Sequence, residues 1–225
     1  MSRLLKRSIE AIERHGWLLV FPIPRKNLPK SLWSVLHPKS VMKWEWSDDA
    51  DNRVAELWHL RRELAESKQV IYAKWYRGRA TFFSRIFFQH MWVALENRRR
   101  QLFGDSRFPS YSSASEILEL LEMESPLSTK EIRRATDLQG KENEKRYTSA
   151  MKELWSTLSI VGVGEVDDGA FPSLAHAATD VVFEDLCREA EKKIGKKDAD
   201  QWLSNQEVDR IFLKTLEVKA ELSRK

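Results

Sequence analysis

Residues 114–169 constrain the fold more than any other stretch of this chain. A helix is predicted over 114–124, where Ile117, Leu118, Leu120 and Leu121 recur with helical spacing. Leu127-Ser-Thr-Lys-Glu131-Ile132 follows. Ser128 and Glu131 have the spacing of a capping box. The hydroxyl accepts from one free helical amide, and the carboxylate reaches back to another. Leu127 and Ile132 hold the apolar staple positions around them. That helix should end near Leu138, ahead of Gly140. A longer helix, about 141–158, carries Tyr147, Met151, Leu154, Trp155 and Leu158 on one face. Asp167-Asp168-Gly169 between apolar runs then signals a hairpin turn. Helix, capped helix, longer helix and hairpin is the order of a winged helix-turn-helix, with 141–158 as its candidate recognition helix.

The solvent face of that helix carries Lys141, Lys145 and Lys152, within about 40° of one another at 100° per residue. Arg146 and Ser149 lie beside them. Long cationic side chains suit phosphates, and short polar ones suit base edges. Glu142, Glu144 and Glu153 share the helix, however, and Glu165, Asp167 and Asp168 mark a hairpin tip that should be basic if it touched DNA. The competing reading is a packing module whose lysines form a solvated face.

Elsewhere, Leu4, Leu5, Ile9 and Ile12 define a helix over 3–14, ended by Gly16. Trp17–Phe21 reads as a buried strand stopped by Pro22 and Pro24. Residues 28–33 read as a loop leading to a short helix. Asp48, Asp49 and Asp51 suit a helix start; that helix should turn Val54, Leu57, Trp58 and Leu64 inward. Residues 70–76 and 79–84 read as two strands around Arg77-Gly78, and 86–97 as either helix or strand. The polar stretch 104–113 is the clearest linker. It divides the chain into an N-terminal α+β domain (1–105), a winged helix-turn-helix domain (106–180) and a C-terminal helical segment (181–225). Helices are expected around 180–194, 198–204 and 206–222. The fold class is α+β, mainly helical, with short β-hairpins.

The chain has 225 residues, 42% of them hydrophobic and 32% charged, a globular composition. Its one cysteine, Cys187, excludes an intramolecular disulfide and a multi-thiolate metal site, and reads as a small buried residue. No apolar run reaches the roughly 20 residues needed to span a bilayer, and Glu10, Glu13 and Arg14 interrupt any signal-peptide core. A cytoplasmic protein without a membrane partner is expected. Histidines 15, 37, 59, 90 and 176 include no pair at helical zinc spacing; His59 and His90 read as core or boundary residues. Gly162-Val-Gly164 lacks the remainder of a phosphate loop, and no nucleophile elbow occurs. No catalytic residue, metal or cofactor is assigned.

Net charge is +4, but it is unevenly spread. Residues 1–30 hold seven Lys/Arg against two Glu, residues 68–107 hold nine against two acids, and residues 159–187 hold six acids and no Lys/Arg. Lys74-Trp-Tyr-Arg77-Gly-Arg79 interleaves bases with aromatics, a pattern that tracks a nucleic-acid backbone or, equally, a sheet with Trp75 in the core. Arg98-Arg99-Arg100 closes a helix, where cations complement the carbonyl end.

Pro126-Leu-Ser-Thr-Lys-Glu-Ile-Arg133 and Ala150-Met-Lys-Glu-Leu154, within residues 126–166, resemble winged-helix segments of the AlkZ/YcaQ superfamily of bacterial DNA glycosylases. Leu28-Pro-Lys-Ser-Leu-Trp33, Leu57-Trp58, Tyr72-Ala-Lys74 and Arg77-Gly-Arg79 resemble the smaller AlkZ-related proteins. The resemblance covers about residues 17–190. It implies tandem winged-helix modules and a link to DNA. AlkZ-type enzymes excise alkylated or crosslinked bases with two glutamines flanking an apolar residue. Here Gln69, Gln89, Gln101, Gln139, Gln201 and Gln206 are never two apart, so base excision is not carried over.

The leading expectation is a protein that binds duplex or damaged DNA through Lys141, Lys145, Arg146, Ser149, Lys152, Lys74, Arg77, Arg79, Arg98, Arg99 and Arg100. One alternative is a divergent glycosylase using Gln89, His90 or Glu96. Another is an interaction module, forming a homodimer or holding a protein partner, whose acidic 159–187 stretch meets a basic surface.

Overall fold

The computed structural model describes residues 1–26, 28–43, 52–103, 108, 112–169 and 172–205. Helix α1 (Arg3–His15) leads into β1 (Trp17–Leu19), the short α2 (Leu32–Leu36) and α3 (Asn52–Glu66). Strand β2 (Ile71–Ala73), a 3-10 turn at Tyr76–Gly78 and β3 (Thr81–Phe83) precede the long α4 (Arg85–Phe103). Helices α5 (Ser113–Glu124) and α6 (Thr129–Ala135), a 3-10 turn at Lys141–Asn143 and α7 (Glu144–Ser156) follow. The hairpin β4 (Ile160–Val166) and β5 (Ser173–Ala178) comes next, then α8 (Thr179–Val182), α9 (Glu184–Lys193) and α10 (Lys196–Ser204). The protein is mainly helical around one antiparallel sheet of five strands, in the order β1-β3-β2-β4-β5.

Strand alternation decides which layer each side chain joins. Leu18, Tyr72 and Phe82 point to one face, where Leu5, Ile9 and Ile12 of α1 and Leu57, Leu60 and Leu64 of α3 close a core. Leu19, Ile71, Ala73 and Phe83 point to the other face. There Phe88, Met91 and Trp92 of α4 join the α5–α7 helices and reach Leu203 of α10 in one continuous core. The sheet therefore joins strands from both sides of residue 105: β2 pairs with β4 at Tyr72↔Gly162.

That pairing requires a glycine. A Cβ at Gly162 would overlap the Cδ1 and Cε1 atoms of Tyr72. Tyr72 is only 1% exposed and packs against Phe82, so its ring has no room to withdraw. Gly162→Ala is expected to destabilise the protein by about 1–3 kcal/mol through overpacking. Urea unfolding checks this, and an unchanged midpoint would refute the close packing.

Several local expectations differ from the fold for physical reasons. Residues 86–97 are helical, within α4. The helix expected over 180–194 divides at Phe183, which leaves helical geometry and packs, buried, near Phe88. Leu57 and Leu64 turn inward and Val54 partly so. Trp58 does not: it is 46% exposed, with the Arg61 guanidinium 4.3 Å from its ring centroid. His59, expected at the core or its boundary, is exposed, because it lies on α3 away from the Leu57–Leu60–Leu64 stripe. Cys187 is buried as expected. The helix start at Asp48–Asp51, most of the 104–113 linker and the helix at 206–222 lie outside the described residues. Among the described residues no helix is long and apolar enough to cross a membrane.

Candidate nucleic-acid interface

The capping box forms as its spacing predicts. The Glu131 amide donates to Ser128 Oγ (3.2 Å), and the Ser128 amide donates to Glu131 Oε2 (2.8 Å). Ile132 is fully buried behind it. Between α5 and α6, Leu127 exchanges two backbone hydrogen bonds with His176 of β5, 2.8 and 2.9 Å long. This adds a one-residue rung to the hairpin, outside the named strands. The α5–α6–α7 cluster is thereby fastened to β4 and β5.

Helix α7 buries Tyr147, Ala150, Met151, Leu154 and Trp155. That anchorage leaves Lys145, Arg146, Ser149 and Lys152 exposed on its outer side. Lys145, Ser149 and Lys152 follow one another at i, i+4 and i+7, which places them within about 60°. Arg146 lies 100° round the helix. Its guanidinium donates to Ser113 Oγ at the start of α5 (3.2 Å) and to Asn143 Oδ1 (3.4 Å). Lys141 is exposed but falls on the 3-10 turn before α7, so the stripe drawn through it at α-helical pitch does not apply.

Glu144, Glu165 and Asp168, among the six acids counted against a phosphate-binding surface, have partners. Arg133 grips Glu144 with two hydrogen bonds, 2.8 and 3.0 Å, and stacks 3.9 Å from the Tyr147 ring centroid. The bonds from Arg133, and then that from Thr148, hold the Glu144 carboxyl below the usual carboxylate range. Glu165 is not at the hairpin tip. It lies within β4 and pairs with Arg61 of α3 at 2.6 Å. Asp168 accepts from Ser173 Oγ at 2.6 Å, and its carboxyl is held low by Ser128 first and Ser173 next. Asp167 is exposed. Sequence reasoning passed over Arg133 in this role, although the Lys130-Glu-Ile-Arg133-Arg134 run was its signal; Lys130 and Arg134 are exposed on α6.

The other basic clusters are dispersed. The Tyr76–Gly78 turn packs against α7, and Arg77 and Arg79 on it are exposed. Trp75 is buried. Lys74 is half-buried, and its ammonium is disfavoured by desolvation and then by the charge of Arg61. Arg98, Arg99 and Arg100 belong to α4, whose main partners are α9 and α10. Arg100 Nε pairs with Glu96 at 3.4 Å, whereas the side chains of Arg98 and Arg99 lie outside the described residues.

Gln89, His90 and Glu96 take part in helix packing. Gln89 Nε2 donates to Glu189 Oε2 (3.3 Å), and His90 stacks 4.5 Å from Trp202. Glu96 is 7% exposed. Among the described residues no group of three or more His, Cys, Asp or Glu could hold a metal ion.

These features define a mainly helical protein whose small antiparallel sheet carries a compact helical unit with a cationic outer helix. The chain belongs to the AlkZ-related family, whose model matches residues 4–215. No curated protein and no solved structure matches it.

Proposed function

We propose that this protein binds DNA through α7, that residues 113–178 act as a winged helix-turn-helix, and that it does so without excising bases. The observation that carries this reading is the exposed Lys145–Ser149–Lys152 stripe with Arg146 beside it, on a helix held rigidly by its buried face. Phosphates would be neutralised by Lys145, Lys152 and Arg146, joined by Lys141 and by Arg77 and Arg79 on the turn packed against α7. Pairing of Glu144 with Arg133 removes a repulsive charge from the start of the helix. The relation to AlkZ-type glycosylases supports DNA as the partner. The missing Gln-X-Gln supports binding without excision.

The test is fluorescence anisotropy with labelled duplex, single-stranded and abasic-site DNA across salt concentrations. Lys145→Glu with Lys152→Glu is expected to weaken duplex binding about tenfold or more. It should also flatten the slope of log affinity against log salt by about 2, one for each lost phosphate contact. Both residues are exposed, so folding should survive. Unchanged affinity in this variant would remove α7 from the interface. Release of an alkylated base from a lesion-bearing duplex would overturn the non-catalytic part.

A further inference from the structure

At the sheet edge formed by β1, the loop after that strand and the α2 segment enclose a groove of about 670 Å³. It lies at the opposite end of the sheet from β5, and Pro29, Lys30, Ser31 and Trp33 of its lining belong to the Leu28-Pro-Lys-Ser-Leu-Trp33 motif. His15, Arg25, Lys26 and Lys30 stand around it, and no Asp or Glu is among the described lining residues. Arg25, Lys26 and Lys30 are exposed. Arg25 holds a left-handed backbone, φ 60°, which glycine would adopt at lower cost. Among the described residues no carboxylate pairs with Arg25, Lys26 or Lys30, and His15 is held below its ordinary pKa by burial, then by Lys30 and Arg14.

The opposite wall is apolar and ring-bearing. Trp33, 1% exposed, packs 4.7 Å from His37, and its Nε1 donates to the Ser40 carbonyl at 2.9 Å. Arg53 lies 5.4 Å from the indole centroid and bonds Ser40 Oγ at 3.0 Å, which fixes that wall from behind. Val35 and Met42 extend it, and Val41 at the lip is 86% exposed. A valine so bare beside a groove gains burial when the groove fills.

We propose that this groove binds a nucleotide phosphate, with the phosphate against Arg25 and Lys30 and the base along the Val35–His37–Met42 wall that Trp33 backs. A bare inorganic anion leaves most of the volume and the whole apolar wall unused, whereas a nucleotide uses both; sites for organic ligands span about 300–1,000 Å³. Clustered cations with no carboxylate among the described lining residues favour a dianionic phosphate. The phosphate comes either from a free mononucleotide or from the phosphorylated end of a strand. The inference does not rest on α7.

Isothermal titration calorimetry of the full chain at low salt tests it with four probes: deoxyadenosine monophosphate, a 5′-phosphorylated thymidine tetranucleotide, the same tetranucleotide without phosphate, and inorganic phosphate. A phosphorylated probe is expected to bind about tenfold or more tightly than the last two, and Lys30→Glu or Arg25→Glu to cut that affinity about tenfold. Preference between the first two probes identifies the source of the phosphate. Binding should also raise the His15 imidazole pKa in an NMR titration, because the dianion offsets Lys30 and Arg14. Lys145→Glu with Lys152→Glu leaves the groove intact, so its nucleotide affinity stays at the wild-type value whatever becomes of duplex binding. Three outcomes overturn the inference: no saturable binding of either phosphorylated probe up to about 1 mM (a Kd above which binding is weaker than about −4 kcal/mol), affinity unchanged in both groove variants, or inorganic phosphate binding as tightly as the nucleotide.

Discussion

Acidification from pH 6.5 to about 4 is expected to remove about 3 kcal/mol of folding stability through one residue, His176. Its ring is 2% exposed and packs 5.5 Å from Trp155, with Nδ1 3.3 Å from the Leu127 carbonyl oxygen. Burial first, and the charge of Lys74 second, push its pKa from 6.5 to about 4; contacts with the Leu127 and Leu174 carbonyls resist only in part. The unfolded chain therefore takes up the proton at a higher pH than the folded one. Above pH 6.5 neither form is protonated and the contribution is complete. It falls as pH drops through 6.5 toward 4 and is spent below that, since each pKa unit is worth about 1.4 kcal/mol. Exposed carboxylates such as Glu144 and Glu189, held low by their cations, begin to lose their own contributions as pH falls through the ordinary carboxylate value of 4.5 and go on losing them at lower pH. Urea midpoints measured from pH 7 to 4.5 check this, together with the His176 ring shifts in NMR. A His176 that titrates near 6.5 in the folded protein would refute it. Lys74→Met should raise its pKa, because it removes the second cause.

The sequence revealed the parts of this molecule that are governed by neighbours a few residues apart. The capping box at Ser128 and Glu131 depends on three-residue spacing, and it forms. The buried face of α7 depends on helical periodicity, and Tyr147, Met151, Leu154 and Trp155 all lie there. What failed depended on distant partners or on small changes of pitch. Lys141 left the stripe because the chain enters α7 through a 3-10 turn. Trp58 stays at the surface because Arg61 and Phe21 cover its ring faces without sealing it. The β2–β4 pairing joins Tyr72 to Gly162 across the predicted linker, a contact that no local pattern encodes. The groove beside β1 gathers cations from positions 15 to 30 into one place, and the basic excess of residues 1–30 and the Leu28–Trp33 motif marked its parts without showing that they meet.

Glu165 illustrates the same limit and carries the second large effect. Read along the chain, it is one of three acids at a hairpin tip. In the fold it reaches Arg61, 104 residues away, and the two side chains are only 14% and 12% exposed. Arg61 also lies 4.3 Å from the Trp58 ring centroid and 5.9 Å from that of Tyr72, so its guanidinium has given up most of its water. Neutralising Glu165 leaves that charge without its partner in a poorly solvated place. Glu165→Gln is expected to destabilise the protein by about 3 kcal/mol, lowering Tm by about 10 °C for a chain of this size. The pair Arg188–Glu184 is the control: its side chains are 56% and 62% exposed, and Glu184→Gln should change stability by less than about 0.5 kcal/mol. Arg61→Met combined with Glu165→Leu should recover most of the loss, since replacing both charges leaves neither one stranded. Calorimetry of the three variants beside the wild-type protein at neutral pH decides the matter. Equal shifts for Glu165→Gln and Glu184→Gln would mean that water still solvates Arg61. Failure of the double replacement to recover stability would mean that the bridge holds α3 on β4 by its geometry rather than by satisfying a desolvated charge.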